Sequence, residues 1–415
     1  MQKLLTLTLI FIFIAIPTNA TFAEEGDRKK MLEQQITALT RYIDHNFLPL
    51  SEEPLSNSEL RAIIDGSQNW LREAQEDGGH FRYEYFPYED TYGEDDNIVR
   101  QAGALYSLGE IARRDPDKKL DSAETIEKAI GFFEGLSIDG SMDEEEFRCI
   151  ALNRVSSKCK LGATSLALAG ILGYLEQHPE KYEEHEDLVE DYVAFVLAMK
   201  KPGEGFRNIY NAKAGSQTKK ESSFSNGEAL MVLTRYYLTN PDEEIKDVID
   251  AGFDHLKDQP FDSALYLWIM AALKDMNELW DKDAYISYGK DYTAWRIEGG
   301  GGFKKSTRNF CPLTEGLVSA YTLLENDMTE FEKDSLKAEI DYWNIKNGTL
   351  QLTSDDIYRL NNTEGGPSFG SLDKPERAIG GFLTGRDILA QRIDFTQHCV
   401  TTYVQTLVDV NGGEI

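Results

Sequence analysis

Apolar residues recur along most of the chain at the three- and four-residue spacing of helices, and the helical segments alternate between two kinds. One kind is charged on one face and apolar on the other: residues 57–76, 122–134, 184–200, 242–257, 278–290 and 329–343. The other is rich in Gly, Ala, Ser and Leu: residues 97–112, 162–175, 225–237, 262–273, 313–324 and 393–408. A helix apolar nearly all round is buried, and one with a polar face is peripheral. The order is therefore outer then inner, six times over.

The connections sharpen this pattern. Inner segments pass to the next outer one through short links such as Asn240-Pro241 and Asn326-Asp327. Outer segments pass to their inner partners through long loops, with one exception at 258–261. Long structureless loops are uncommon in compact units unless they are functional. All of them fall at the N-terminal end of the inner helices. The prediction is an all-α fold, an (α/α)6 toroid of six outer–inner pairs with one plain face and one worked face. A repeat runs through the loops: Phe81-Arg82, Phe147-Arg148, Phe206-Arg207 and Phe303-Lys304, three of them with Gly just upstream. Each Phe is expected to plug its loop onto the barrel. The basic residues either complete that latch or ring one mouth with cationic heads.

The N-terminus reads differently. Lys3, an apolar run from Leu4 to Ile16, and small residues through Ala20 and Ala23 have the form of a secretory signal peptide covering residues 1–23. The run is too short for a membrane span. Residues 24–56 are expected to hold an amphipathic lead-in helix, and 24–415 to form one domain in the periplasm or outside the cell. The formal net charge of −29 excludes general nucleic-acid binding, which needs a broad positive field. Cys149 and Cys159 lie close enough in one loop to bridge in an oxidising compartment. No CxxC pair occurs, so neither a zinc–thiolate site nor any other metal or cofactor is expected.

Four clusters carry candidate chemistry. The N-termini of six inner helices each bring about half a positive charge to one rim, which suits an anionic ligand. In the first cluster Asp95 or Asp96 caps the helix beginning near Asn97, leaving a spare carboxylate. Arg100 and Gln101 stand in its first turn, and Arg100 requires an anion there, either Asp96 or the ligand. In the second, Ser225 and Glu228 have the spacing of a capping box, with Glu228 otherwise a candidate acid or base. In the third, Thr314 is a candidate cap and Glu315 lies in the first turn, near Arg308. The fourth holds Arg386, Arg392, Asp394, Gln397 and His398, and helical spacing puts Asp394 and His398 on one face. A histidine oriented by a carboxylate is the general acid–base pattern, though the pair reads equally as an internal contact. Loop aromatics suited to stacking sugar rings are Tyr83, Tyr85, Tyr88, Tyr92, Tyr210, Tyr292 and Trp295, with Arg82 and Arg207 beside them.

The six outer–inner pairs with long loops on one face resemble the (α/α)6 toroids of six-hairpin glycosidases, polysaccharide lyases and sugar epimerases. The resemblance implies a carbohydrate cleft at the toroid mouth, worked by paired carboxylates or by Tyr/His with Arg. The stretch Trp70 to Gln75 with Gly78-Gly79 also resembles the repeats of terpenoid-cyclase-type toroids, but their DxDD and DDxxD signatures are absent. The expectation is an exported glycoside hydrolase, lyase or epimerase acting on an acidic or envelope polysaccharide. Its catalytic pool is Asp96, Glu228, Glu315, Asp394 and His398. The alternative is a non-catalytic glycan- or peptide-binding scaffold, and two carboxylates, or a His–carboxylate pair, converging in the cleft at catalytic distances discriminates the two.

Overall fold

The computed structural model describes residues 53–87, 90–117, 122–301, 309–354, 375–385 and 388–415. The expected signal peptide and most of the lead-in segment lie outside the described residues, as do Tyr88, Phe303, Lys304, Arg308 and Arg386. The outer helices are α1 (Asn57–Ala74), α3 (Ala123–Glu134), α5 (Tyr182–Ala198), α7 (Glu243–Lys257), α9 (Asp283–Ile297) and α11 (Glu330–Gly348). The inner helices are α2 (Ile98–Arg113), α4 (Leu161–Gln177), α6 (Ser223–Thr239), α8 (Ser263–Trp280), α10 (Cys311–Leu324) and α12 (Ile393–Gln405), the last continued by a π turn over Thr406–Val410. Each inner helix packs against the next, and α12 packs back on α2, so the ring closes. The chain forms an (α/α)6 toroid.

One boundary differs from the sequence pattern. The charges at Lys274, Asp275 and Glu278 suggest a break, yet α8 runs on to Trp280 and stops at Asp281 in a left-handed conformation, φ 44°. Asp275 is buried there and paired with Arg235 and Lys274, so an inner helix carries charge without ending.

The ring closes through small residues. A Cβ at Gly170 would lie 2.6 Å from the Leu105 carbonyl oxygen, and one at Gly173 would lie 2.7 Å from the Gly109 oxygen. Helices α2 and α4 therefore meet backbone to backbone. This is why the inner segments are rich in Gly and Ala.

Every described strand lies in a loop leading to an inner helix. Strands β1 (Glu84–Phe86) and β2 (Thr91–Tyr92) precede α2, and β3 (Ser137–Met142), β4 (Glu145–Ile150) and β5 (Lys158–Lys160) precede α4. Strands β6 (Ile209–Asn211) and β7 (Ser216–Gln217) precede α6, and β8 (Leu383–Gly385) and β9 (Ile388–Arg392) precede α12. The sheets run β2-β1-β9-β8, β3-β4 and β5-β6-β7, all antiparallel, so neighbouring loops are stitched into one decorated rim.

The loop repeat is a latch. Phe81, Phe147 and Phe206 are fully buried or nearly so. The Phe81 N–H donates to Gln101 Oε1 (2.9 Å) and that of Phe206 to Asn226 Oδ1 (2.6 Å). Phe382 belongs to the same set: its N–H donates to Thr396 Oγ1 at 3.1 Å. Gln101, Asn226 and Thr396 are each the fourth residue of an inner helix. Single β-bridges from Gln75, Lys200 and Gln351, just past outer helices, meet the same three Phe residues. Gly79 (φ 84°) and Gly380 (φ 93°) make the turns two residues ahead of Phe81 and Phe382, in the left-handed region that favours Gly.

Gly170→Ala gains about 1 kcal/mol of helix propensity. Overpacking against backbone costs roughly 1–3 kcal/mol, because backbone cannot rotate away. A net loss is expected in denaturant unfolding. Gly131→Ala in α3, whose new methyl would meet nothing within 4 Å, should instead stabilise by about 0.5–1 kcal/mol.

Candidate functional site

The rim groups come first. Arg100 extends from α2, and its Nε lies 3.3 Å from Asp394 Oδ2. Arg392, the residue before α12, binds both Asp394 oxygens at 2.9 and 2.6 Å. The anion beside Arg100 is thus Asp394 and not Asp96. Asp394 makes no pair with His398; it is held between two guanidinium groups. Tyr83 lies half-buried under Arg392, whose guanidinium carbon is 5.1 Å from its ring centre.

Asp96 accepts from Gln101 Nε2 at 2.8 Å and from the Asn97 N–H at 2.7 Å, and lies 3.2 Å from His80 Nε2. Burial opposes its ionisation, but the hydrogen bonds from His80 and Gln101 outweigh that and hold it below its ordinary value. The cap of α2 is Asn97, which accepts from the Val99 N–H. Gln101 is the loop latch, bound to both backbone groups of Phe81.

Other expected ligand contacts are internal. Arg82 pairs with Glu76 at 3.1 Å and lies over the Tyr92 ring. Arg207 pairs with Glu204 and Glu221. Tyr210 is buried, and its hydroxyl donates to the Ser141 carbonyl. Trp295 packs with Phe261 and Tyr292 on the outer ring, and Tyr292 donates to the Asp262 carbonyl. The leading N–H groups of α4 and α12 donate to loop carbonyls, Asn208 and Tyr83, and that of α10 donates to Asn309 Oδ1. The loops therefore take up the donors that an anion was expected to meet.

Below the rim lies a different layer. His398 Nδ1 sits 2.8 Å from Glu315 Oε2, joining α12 to α10. Glu315 is fully buried and His398 is 7% exposed. The Tyr106 hydroxyl reaches across from α2 and donates to Glu315 Oε1 at 3.3 Å. Trp268 from α8 packs against both, with ring centres 5.9 Å from His398 and 5.5 Å from Tyr106. Burial pushes the Glu315 carboxyl up, and His398 opposes this. Thr314 is not the cap of α10; it is the fourth residue and donates back to the Phe310 carbonyl.

Glu228 stands on α6, facing Gly162 of α4. No capping box forms: α6 starts at Ser223, and the Ser225 hydroxyl donates to Asn208 Oδ1. Glu228 is 3% exposed, and its Oε2 has no hydrogen-bond partner. A Cβ at Gly162 would collide with that oxygen, so Gly at this position of α4 leaves it room. Burial raises its pKa to about 7, with Arg100 and Lys160 opposing. Gln397 is likewise buried with an unpartnered Oε1, against Gly103.

At the opposite end of the ring the axis is closed by ion pairs that the pattern reading missed. Arg235 lies 2.7 Å from Glu110, and Arg114 lies 2.8 Å from Glu110 and 2.6 Å from Asp409. Burial opposes ionisation of Glu110, but Arg113, Arg235 and Arg114 hold it well below its ordinary range. The signal in the sequence is a charge placed on an otherwise apolar inner helix. Away from the axis, Glu127, Glu184 and His185 bring ligand atoms within 4.8 Å of one another. Lys181 already pairs with both carboxylates, at 3.6 Å from Glu127 and 2.9 Å from Glu184.

Known structures share this architecture. The chain is similar to cellobiose 2-epimerase from Bacillus thermoamylovorans, with TM-score 0.59 and 14% identity over 84% of this chain and 98% of that one. It is similar to a sugar epimerase from a ruminal bacterium, with TM-score 0.57 and 12% identity over 87% and 100%. A family 76 glycoside hydrolase from a bovine Bacteroides thetaiotaomicron strain gives TM-score 0.58 and 9% identity over 85% and 78%. No protein-family profile and no curated protein sequence matches the chain. At these identities the likeness speaks to the fold.

Glu228 yields a stability prediction. Its folded pKa lies above the ordinary value of 4.5, so the fold prefers the neutral carboxyl. Stability from this group is full below about pH 4.5 and is lost as pH rises through about 7. Glu228→Gln should flatten that decline and be the more stable protein at pH 8, by up to about 3 kcal/mol. Parallel unfolding curves for the two proteins from pH 4 to 8 would contradict this.

Proposed function

We propose that the protein is a sugar-acting enzyme whose chemistry is proton transfer at His398, of the epimerase or isomerase kind. The observation that carries this reading is the buried Glu315–His398 contact at the centre of the inner ring. Glu315 accepts from Nδ1–H, which leaves the lone pair on Nε2 as the base. A base oriented this way removes a proton from a sugar carbon beside a carbonyl. Glu228, whose pKa burial raises to about 7, serves in this reading as the complementary acid.

Hydrolysis asks for two carboxylates flanking one bond, one of them able to give up a proton. Asp394 suits this poorly, because both its oxygens are bound by Arg392 and one also lies beside Arg100. The convergence of a His–carboxylate pair also favours catalysis over a purely binding role. The epimerases among the similar structures support a sugar substrate.

Arg82, Arg100, Arg207 and Arg392 already have carboxylate partners, which favours an uncharged, hydroxyl-rich sugar over the anionic polysaccharide expected from the charge pattern. Export through the N-terminal leader is part of the proposal. Two disulfides, Cys149–Cys159 and Cys311–Cys399, suit an oxidising compartment.

The test is incubation with reducing mono- and disaccharides in D2O, followed by mass and NMR analysis for deuterium at a ring or chain carbon. Wild-type protein should incorporate deuterium. His398→Ala should lose about 10²–10⁴-fold of the rate while keeping its helical circular dichroism. Undiminished exchange in His398→Ala would remove the residue from the reaction, and production of new reducing ends would point to hydrolysis instead.

A further inference from the structure

The second disulfide lies one turn from the proposed base. Cys399 directly follows His398, and Cys311 precedes Glu315 by four residues, one turn of the same helix face. The Cys311–Cys399 bond therefore joins α10 to α12 across the same interface that the Glu315–His398 contact spans. Both sulfurs are buried.

Two further side chains close this joint. Asn309 Oδ1 accepts from the Cys311 N–H at 2.9 Å, and its Nδ2 lies 3.1 Å from Cys399 Sγ. The Thr402 hydroxyl lies 2.7 Å from the His398 carbonyl and 3.0 Å from the Cys311 carbonyl. Neither helix start has a side-chain cap of the usual kind, since Phe310 and Arg392 stand at the cap positions. This cross-link and its hydrogen bonds join the two first turns directly to one another.

We propose that the Cys311–Cys399 disulfide, with Thr402, is the positioning element of the His398–Glu315 pair, so that the acid–base chemistry belongs to the oxidised protein. The inference rests on the proposed role of His398. Geometry explains why a cross-link is useful here. An imidazole and a carboxylate on two separate helices keep a 2.8 Å contact only while the helices hold register. A misplacement of about 1 Å can cost on the order of 10²-fold in rate. The other disulfide, Cys149–Cys159, joins β4 to β5 in the rim. It makes an internal control.

The experiment compares Cys311→Ala/Cys399→Ala with Cys149→Ala/Cys159→Ala in the full chain. Three readouts are taken: helical circular dichroism, kcat and KM for the sugar found active, and the low-field proton NMR signal of the His398 Nδ1–H. Removing Cys311–Cys399 should lower kcat by about 10²-fold with KM within about threefold, and should erase or shift the imidazole signal. Removing Cys149–Cys159 should leave kcat and the signal near wild type. Thr402→Val keeps shape, and should lower kcat by about tenfold in a folded protein. If the first double variant does not fold, Thr402→Val decides. Unchanged kcat and unchanged imidazole signal in the folded variants overturn the proposal, as does an equal loss in both double variants. If His398→Ala keeps full turnover, the reading of the site fails, while the imidazole signal still reports whether the cross-link positions the pair.

Discussion

Six helices can close into an inner ring only if their backbones approach closely somewhere, and a backbone cannot yield as a side chain can. The contact of Gly170 with Leu105 and of Gly173 with Gly109 is where this chain meets that demand. Much else follows. The inner helices must be poor in bulky residues at their seams, so their large side chains turn toward the axis or the outer ring. Tyr106, Trp268, Glu110 and Arg235 fill the axis. A narrow ring with polar groups along its centre has little water to solvate them, and each needs a named partner. At the closed end these partners are ions of opposite sign. Nearer the rim, Glu315 has His398 and Tyr106, and one oxygen of Glu228 has none.

This contrast along the axis separates structure from chemistry. In the Glu110–Arg114–Arg235 group each charge lies against one of opposite sign, which holds Glu110 well below its ordinary range. Nearer the rim the pairing is thinner: Glu315 meets only a histidine and a tyrosine, and Glu228, raised by burial to about 7, has an oxygen with no hydrogen-bond partner. The rim above it resembles neither. Arg82, Arg100, Arg207 and Arg392 there are paired with carboxylates, and the first N–H groups of α4 and α12 with loop carbonyls.

Much of the architecture was legible in the sequence, because periodicity and loop length are local signals. The alternation of amphipathic and small-residue helices, the single worked face and the Phe latches all have local causes. Phe382 escaped the latch repeat because Leu383, not a basic residue, follows it. The site was less legible. Asp394 and His398 share helical spacing, but the carboxylate on His398 comes from Glu315, 83 residues away, and only closure of the ring brings them together. Ser225 and Glu228 spell a capping box, yet α6 begins two residues earlier, and tertiary contact with Asn208 overrides the local motif. Cys311 and Cys399 carry no spacing signal at a separation of 88.

If His398 is the base, the reacting sugar carbon meets the axial layer and not the rim. A crystal structure of the protein grown with a reducing sugar decides this. Sugar density is expected with a ring or chain carbon within about 3–3.5 Å of His398 Nε2 and an oxygen in hydrogen-bond reach of Glu228. Sugar bound solely on the β-hairpins of the rim, with Tyr106, Trp268 and His398 packed beneath it and untouched, would contradict it.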